Sequence, residues 1–231
     1  MIKPKKSLGQ NFLIDQNIIK KIISLSENEN THIIEIGPGT GNLSDQIIKL
    51  NNPDKLSVIE KDKDLCEHLK KKFSYQNNFV IHNADVLKID LEKLITKDTI
   101  VFGNLPYNIS TQILIKFLKF KKWPPKFKRL IFMFQKEVAD RIVALPSTKN
   151  YGRLSVISKW RLNVIKSFNI SRNCFYPKPK VESTVIVFEP KVIKKYKIKY
   201  IETLEKITNI FFSGKRKMIN KAFKKILGDD E

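Results

Sequence analysis

His32-Ile33-Ile34-Glu35-Ile36-Gly37-Pro38-Gly39-Thr40-Gly41 is a short apolar run that breaks into three closely spaced glycines just before a helix-compatible stretch. A run of this length, ended by glycine, reads as a strand. Glycines accept positive φ and carry no Cβ, so a turn made from them lets backbone approach a flat or polar ligand at the carboxyl end of that strand. The turn has neither the spacing nor the Lys-Ser/Thr pair of a triphosphate-binding loop. Taken alone it is also compatible with a tight strand-to-helix turn that holds nothing, so the surrounding chain has to decide.

Outward from this turn, strand-like and helix-like segments alternate. Apolar positions at helical spacing run from Gln16 to Ser26 before it. After it come a helix from Gly41, a strand over Leu56–Ile59, a helix over Asp64–Phe73 and a strand over Phe79–His82. A strand over Thr99–Phe102, a helix over about Ser110–Phe120 and a strand over Leu130–Phe134 follow. Such alternation predicts parallel strands joined by crossover helices, an open doubly wound α/β sheet. Leu162–Ile170 and Ser183–Phe188 are both β-prone and flank a Pro-rich stretch, which predicts a closing antiparallel pair at one edge. Beyond Pro190 the chain turns Lys-rich and helical, with 12 Lys plus Arg against 5 Asp plus Glu over residues 191–231, a net of +7. The expected organisation is therefore a domain over residues 1–190 and a small basic helical unit over 191–231.

Polar residues recur where these strands end. Glu60 closes the strand after the glycine turn, where a carboxylate can accept from both hydroxyls of a ribose; an ordinary helix N-terminal carboxylate is the alternative. Asp85 follows the next strand, placed to receive an adenine amine of a cofactor or simply to cap a turn. Asn104-Leu105-Pro106-Tyr107 follows the strand over Thr99–Phe102. An exocyclic adenine amine is a poor nucleophile because its lone pair is delocalised into the ring. If the Asn104 side-chain oxygen and a backbone carbonyl of the tetrapeptide accept its N–H groups, the nitrogen can pyramidalise toward a sulfonium methyl. Pro106 stiffens the turn, and Tyr107 offers a face for a base to stack on. A plain turn with a buried Tyr explains the tetrapeptide alone, but not its occurrence with Gly37, Gly39, Glu60 and Asp85 in this order. Nucleoside-dependent methyl transfer is the chemistry the set predicts.

The formal charge of the 231-residue chain is +21, from 44 Lys plus Arg against 23 Asp plus Glu. So large an imbalance favours polyanions through counterion release and steering, although base composition that inflates Lys contributes as well. Only six residues are Arg (Arg129, Arg141, Arg153, Arg161, Arg172, Arg216). Lysine suits phosphates better than base edges, which predicts backbone and shape recognition. Lys215, Arg216 and Lys217 are the candidate nucleic-acid contacts. Two cysteines and three histidines have no ligand-like spacing, so no metal site is expected. No segment reads as a signal peptide or bilayer span, and the expectation is a soluble, cytoplasmic monomer.

The strings SLGQNFL (7–13), IGPGTG, NLPYNIS (104–110), QKEVADRI (135–142), YGRLSV (151–156) and FYPKPKVES (175–183) together resemble the KsgA family of small-subunit rRNA adenine dimethyltransferases. The resemblance implies a Rossmann-like class I fold with a mostly parallel seven-stranded sheet and S-adenosylmethionine as cofactor. It implies a role for Asn11 and Leu13 beside Gly37, Gly39, Glu60, Asp85 and Asn104 in holding that cofactor. It also implies that Phe175 stacks on the target adenine opposite Tyr107, the lesser alternative being a core residue before a Pro-rich turn. The implied substrate is two adjacent adenosines in the terminal hairpin loop of 16S rRNA within an immature small subunit. Large-subunit rRNA methylation and a non-catalytic assembly factor on the same fold are the alternatives. Family members usually continue into a longer helical domain, whereas this chain stops at Asp229-Asp230-Glu231, a departure expected to bear on substrate docking more than on chemistry.

Overall fold

The computed structural model describes residues 3–26, 31–192, 200–213 and 226. In chain order the first half contains β1 (Phe12–Leu13), α1 (Gln16–Ile23), β2 (His32–Ile36), α2 (Asn42–Asn51), β3 (Lys55–Glu60), α3 (Lys63–Lys72), β4 (Phe79–Asn83), α4 (Leu91–Leu94) and β5 (Thr99–Asn104). The second half contains α5 (Ser110–Leu118), β6 (Phe127–Gln135), α6 (Lys136–Val143), α7 (Arg153–Arg161), β7 (Leu162–Ile170), β8 (Phe175–Tyr176), β9 (Ser183–Pro190) and α8 (Ile201–Phe212). Helix starts are set by short acidic side chains: Asp15, Asp62 and Asp90 each accept a first-turn amide at the head of α1, α3 and α4.

Seven strands form one sheet in the order β4-β3-β2-β5-β6-β9-β7. The first five are parallel, β9 runs antiparallel to both β6 and β7, and the pair expected at the edge is therefore present. The order reverses between β2 and β5, so their carboxyl ends open a crevice where such sheets take ligands. Alternation along each strand sorts side chains into two layers. Ile34, Ile36, Val101 and Phe132 pack on one face with Phe117, Phe134 and Phe188, while Ile33, Val58, Phe102 and Ile131 pack on the other with Ile19, Ile47 and Val187.

Helix α7 and a short two-stranded ribbon were not evident from periodicity. In α7, Ser155, Ile157, Ser158 and Arg161 are all buried, so no clean polar stripe marks it. Arg161 is accommodated because its guanidinium donates to the Leu118 and Phe120 carbonyls at 2.7 and 2.9 Å and lies against Trp123 and Trp160. In the ribbon, two residues long, β1 pairs antiparallel with β8, matching Phe12 with Tyr176 and Leu13 with Phe175. Ile201 and Leu204 bring α8 into the first core layer, and Lys119 reaches Glu205 across it at 3.3 Å. Lys215, Arg216 and Lys217 lie outside the described residues.

Candidate active site

The carboxyl ends of β2, β3 and β5, the segment after β4 and the chain just before β1 enclose a cavity of about 270 Å3. Of the residues singled out in the sequence, Asn11, Gly37, Gly39, Glu60, Asp85, Asn104, Leu105, Pro106 and Tyr107 all line it. Gly37 and Gly39 have φ of +69° and +58°. A Cβ on Gly37 would lie 3.3 Å from the Asn104 carbonyl oxygen, and one on Gly39 would lie 2.7 Å from the Phe12 ring. The first glycine lets two strand ends close together, and the second lets Phe12 fold over the turn.

Glu60 is buried in the wall. One carboxylate oxygen accepts the Asp62 amide at 2.9 Å and the other the Gly39 amide at 3.3 Å. Burial pushes its pKa up while these amides pull the other way. Lone pairs remain for hydroxyl donors, so the cavity wall carries a buried acceptor suited to a ribose. Asp85 is held at the rim by the Leu87 amide at 2.9 Å and by Lys61 at 3.0 Å, both of which keep its carboxyl below the usual range.

Asn104 closes β5, and its side-chain amide is oriented: Nδ2 donates to the Asn11 carbonyl at 2.8 Å. Among the described residues no donor reaches its Oδ1. The Pro106 carbonyl accepts from the Ile109 amide at 3.1 Å and the Tyr107 carbonyl from Ser110 Oγ at 3.2 Å, so the turn after Asn104 is braced into the start of α5. The Tyr107 phenol hydrogen-bonds Ser183 Oγ at 2.7 Å on β9, which fixes its ring, and burial raises its pKa.

Two residues implied by the family resemblance sit elsewhere. Leu13 and Phe175 are 4% and 3% exposed and pack in the second core layer on the inner side of the β1–β8 ribbon, and neither lines the main cavity. Leu13 instead borders a small adjoining void with Gly37, Glu35 and Asn104, and its carbonyl accepts from Asn42 Nδ2 at 2.8 Å. Phe175 is packed as a core residue here, the lesser alternative to the stacking position expected for it, while its neighbour Tyr176 is 54% exposed.

Sequence reasoning from the residues missed the lid and the floor. Gln10 and Phe12 line the cavity from the amino-terminal segment. Lys5 Nζ bridges Asp62 and Asp64, at 2.7 Å each, and Gln10 Nε2 donates to Asp62 at 2.9 Å, so that segment is latched to the head of α3. Behind the glycine turn, Glu35 is 1% exposed, accepts from Ser44 Oγ, and is pushed by burial up to about 7. An acid inside an apolar strand was the available signal for Glu35. For Gln10 only the string SLGQNFL marked the segment.

A nucleoside pocket at the topological switch point, with an oriented Asn-Leu-Pro-Tyr on its rim, defines a Rossmann-like class I methyltransferase. The model of the family described as ribosomal RNA adenine dimethylase matches residues 1–231. A protein of Pelagibacter ubique named ribosomal RNA small subunit methyltransferase A is 47% identical over 225 residues, covering 97% of this chain and 84% of the relative. The protein of that name from Shewanella piezotolerans is 38% identical, covering 98% of this chain and 83% of its own. Among solved structures, a dimethyladenosine transferase from Plasmodium falciparum is 30% identical with a TM-score of 0.77, covering 92% of this chain and 74% of that one. A 23S rRNA methyltransferase, ErmE, shares the fold at 23% identity and a TM-score of 0.71, with coverage of 93% and 84%. The chain belongs to the ribosomal RNA adenine dimethylase family.

Proposed function

We propose that this methyltransferase dimethylates the exocyclic N6 amines of two adjacent adenosines in the 3′-terminal hairpin loop of 16S rRNA, acting on an immature small subunit in the cytoplasm as a monomer. The observation that carries the reading is the state of Asn104: its Nδ2 is bound to the Asn11 carbonyl at 2.8 Å, which leaves Oδ1 as an acceptor at the cavity rim beside Tyr107. S-adenosylmethionine, when bound, supplies an electrophilic sulfonium methyl. Gly37 and Gly39 border the space that would hold it, Glu60 would accept from its ribose hydroxyls and Asp85 from its adenine amine, and Asn11 and Asn104 would wall it in, with Leu13 supporting that wall from behind.

On the substrate side Asn104 Oδ1 accepts one N–H of the target amine. The Pro106 and Tyr107 carbonyls already have donors, so we assign the second acceptor to the Leu105 carbonyl. Two fixed acceptors turn the lone pair out of conjugation and stabilise the positive charge that develops on nitrogen. No strong base is needed, because the methylated ammonium loses its proton readily. Tyr107 supplies the stacking face, and the Phe175 ring completes the stack only on a shift of the β1–β8 ribbon. Residues 1–190 form the catalytic unit in this reading, and 191–231 form a basic unit whose Lys215, Arg216 and Lys217 hold rRNA phosphates.

Undermethylated small subunits incubated with the chain and labelled S-adenosylmethionine should yield dimethyladenosine at the 3′ hairpin of 16S rRNA by nucleoside mass spectrometry. Label confined to 23S rRNA would support the large-subunit alternative, and no label with intact RNA binding would support an assembly factor without turnover.

A further inference from the structure

The β1–β8 ribbon has an inner and an outer face. Leu13 and Phe175 turn inward, whereas Phe12 and Tyr176, one register position along, turn outward. Phe12 folds over Gly39 and lines the cofactor cavity, but Tyr176 stays 54% exposed. Ile14 continues that outer face, tied to the Cys174 carbonyl through its amide at 2.8 Å, and is 47% exposed. Together with Lys72 these residues border a shallow recess that shares Phe12 with the cavity. Just downstream, Lys178 and Lys180 are exposed and Val181 is 44% exposed. Exposed apolar side chains scattered singly need no explanation, but an aromatic face beside an aliphatic one, followed by two cations and adjoining a catalytic cavity, is a different case.

We propose that Tyr176 and Ile14 form a stacking platform for the unpaired nucleobase next to the adenosine in the active site, with Lys178 and Lys180 on the flanking phosphates. The inference rests on the RNA-adenine reading above and names a second subsite for that substrate. Turning one adenosine out of its loop strips its neighbour of a stacking partner, and an exposed ring restores that contact for any base because every base has a π-face. Lysines two and four residues on supply point charges of the kind that bind backbone phosphates without reading sequence. A protein partner is less favoured, since the chain carries +21 and the cations sit beside the apolar face.

The test uses the full chain and an RNA hairpin of the 16S 3′-terminal loop carrying 2-aminopurine beside the target adenosine. Tyr176→Ala should weaken hairpin binding roughly five- to thirtyfold, raise KM for the small subunit and abolish the quenching of the probe, and Tyr176→Phe should restore all three. Cofactor affinity and Tm, read on the same variants, should match the wild type. Because stacking releases no counterions, Tyr176→Ala should leave the slope of affinity against salt unchanged. The double variant Lys178→Gln/Lys180→Gln should make it shallower by roughly 1.4 units on a single strand. A Tyr176→Ala variant that binds and quenches like the wild type, beside a wild type that binds the hairpin and methylates small subunits, would overturn the platform alone. Wild type that neither binds nor methylates would overturn the underlying reading with it. Self-association lost in Tyr176→Ala, with hairpin affinity intact, would instead make the face a contact between two copies.

Discussion

Asn104 divides its work between two atoms, since Nδ2 is anchored on Asn11 and Oδ1 is left to accept. Asn104→Ala removes the acceptor while Glu60, Asp85 and the glycine turn remain, so single-turnover methylation should fall by about a hundredfold to a thousandfold. Cofactor affinity by calorimetry should change much less, and a near-wild-type single-turnover rate would sink the assignment. Glu35 makes a pH prediction. Its folded pKa of about 7 lies above the ordinary 4.5, because burial penalises the charged form. Between those values the folded state keeps a proton that the unfolded chain has lost, so stability falls as pH rises through that window. Glu35→Gln cannot ionise and should gain on the wild type between about pH 5 and about pH 8 in urea unfolding, by up to roughly 3 kcal/mol. The opposing slope from His32, whose pKa burial lowers to about 4, is common to both proteins and cancels in the difference. A flat difference would mean that Glu35 is already charged in the fold. Glu60, Asp85 and Asn104 were legible in the sequence because each follows a recognisable strand. The place of Phe175 stayed open between a stacking position and the core, because which face of a two-residue strand turns inward depends on a partner at the other end of the chain.

Elements were legible in proportion to their length and one-sidedness. The five parallel strands announced themselves as apolar runs, and β6 grew from the apolar core Leu130–Phe134 to Phe127–Gln135 because backbone pairing continues to Thr99 of β5 at one end and Ser183 of β9 at the other, with Arg129, 7% exposed, accommodated by Glu189. The amino-terminal segment shows the opposite case: it has no periodicity and gains its position through side chains. Lys5 bridges Asp62 and Asp64, and its own amide donates to Gln10 Oε1 at 2.7 Å, so the segment is strapped across the cavity mouth. The Lys5 side chain is exposed, so water screens both pairs even though Asp62 beneath it is buried. Lys5→Gln should therefore speed release of bound cofactor about two- to fivefold in stopped-flow measurements, with Tm nearly unchanged. Identical release rates would show that the strap holds through Gln10 and Phe12 alone.

For the whole molecule, the question is how a charge of +21 is used. Several lysines already have partners within the chain: Lys5 pairs with Asp62 and Asp64, Lys61 with Asp85, and Lys72 donates to the Thr40 and Gly41 carbonyls at 3.0 and 3.1 Å. A grip on RNA must come from others, and the sequence after Phe212 concentrates them in Lys215-Arg216-Lys217 with Lys221, Lys224 and Lys225. If these cations hold phosphates, each contact releases condensed counterions, and affinity falls steeply with salt. Neutralising three of them in a Lys215→Gln/Arg216→Gln/Lys217→Gln variant should make the log–log slope shallower by roughly two to three units. Cofactor affinity should not move, because the residues lining the nucleoside pocket lie far earlier in the sequence. An unchanged slope with normal cofactor binding would make the segment a solvated face, and the RNA grip would then fall to Lys178 and Lys180 beside the Tyr176 platform, whose own contribution to the slope is measured separately.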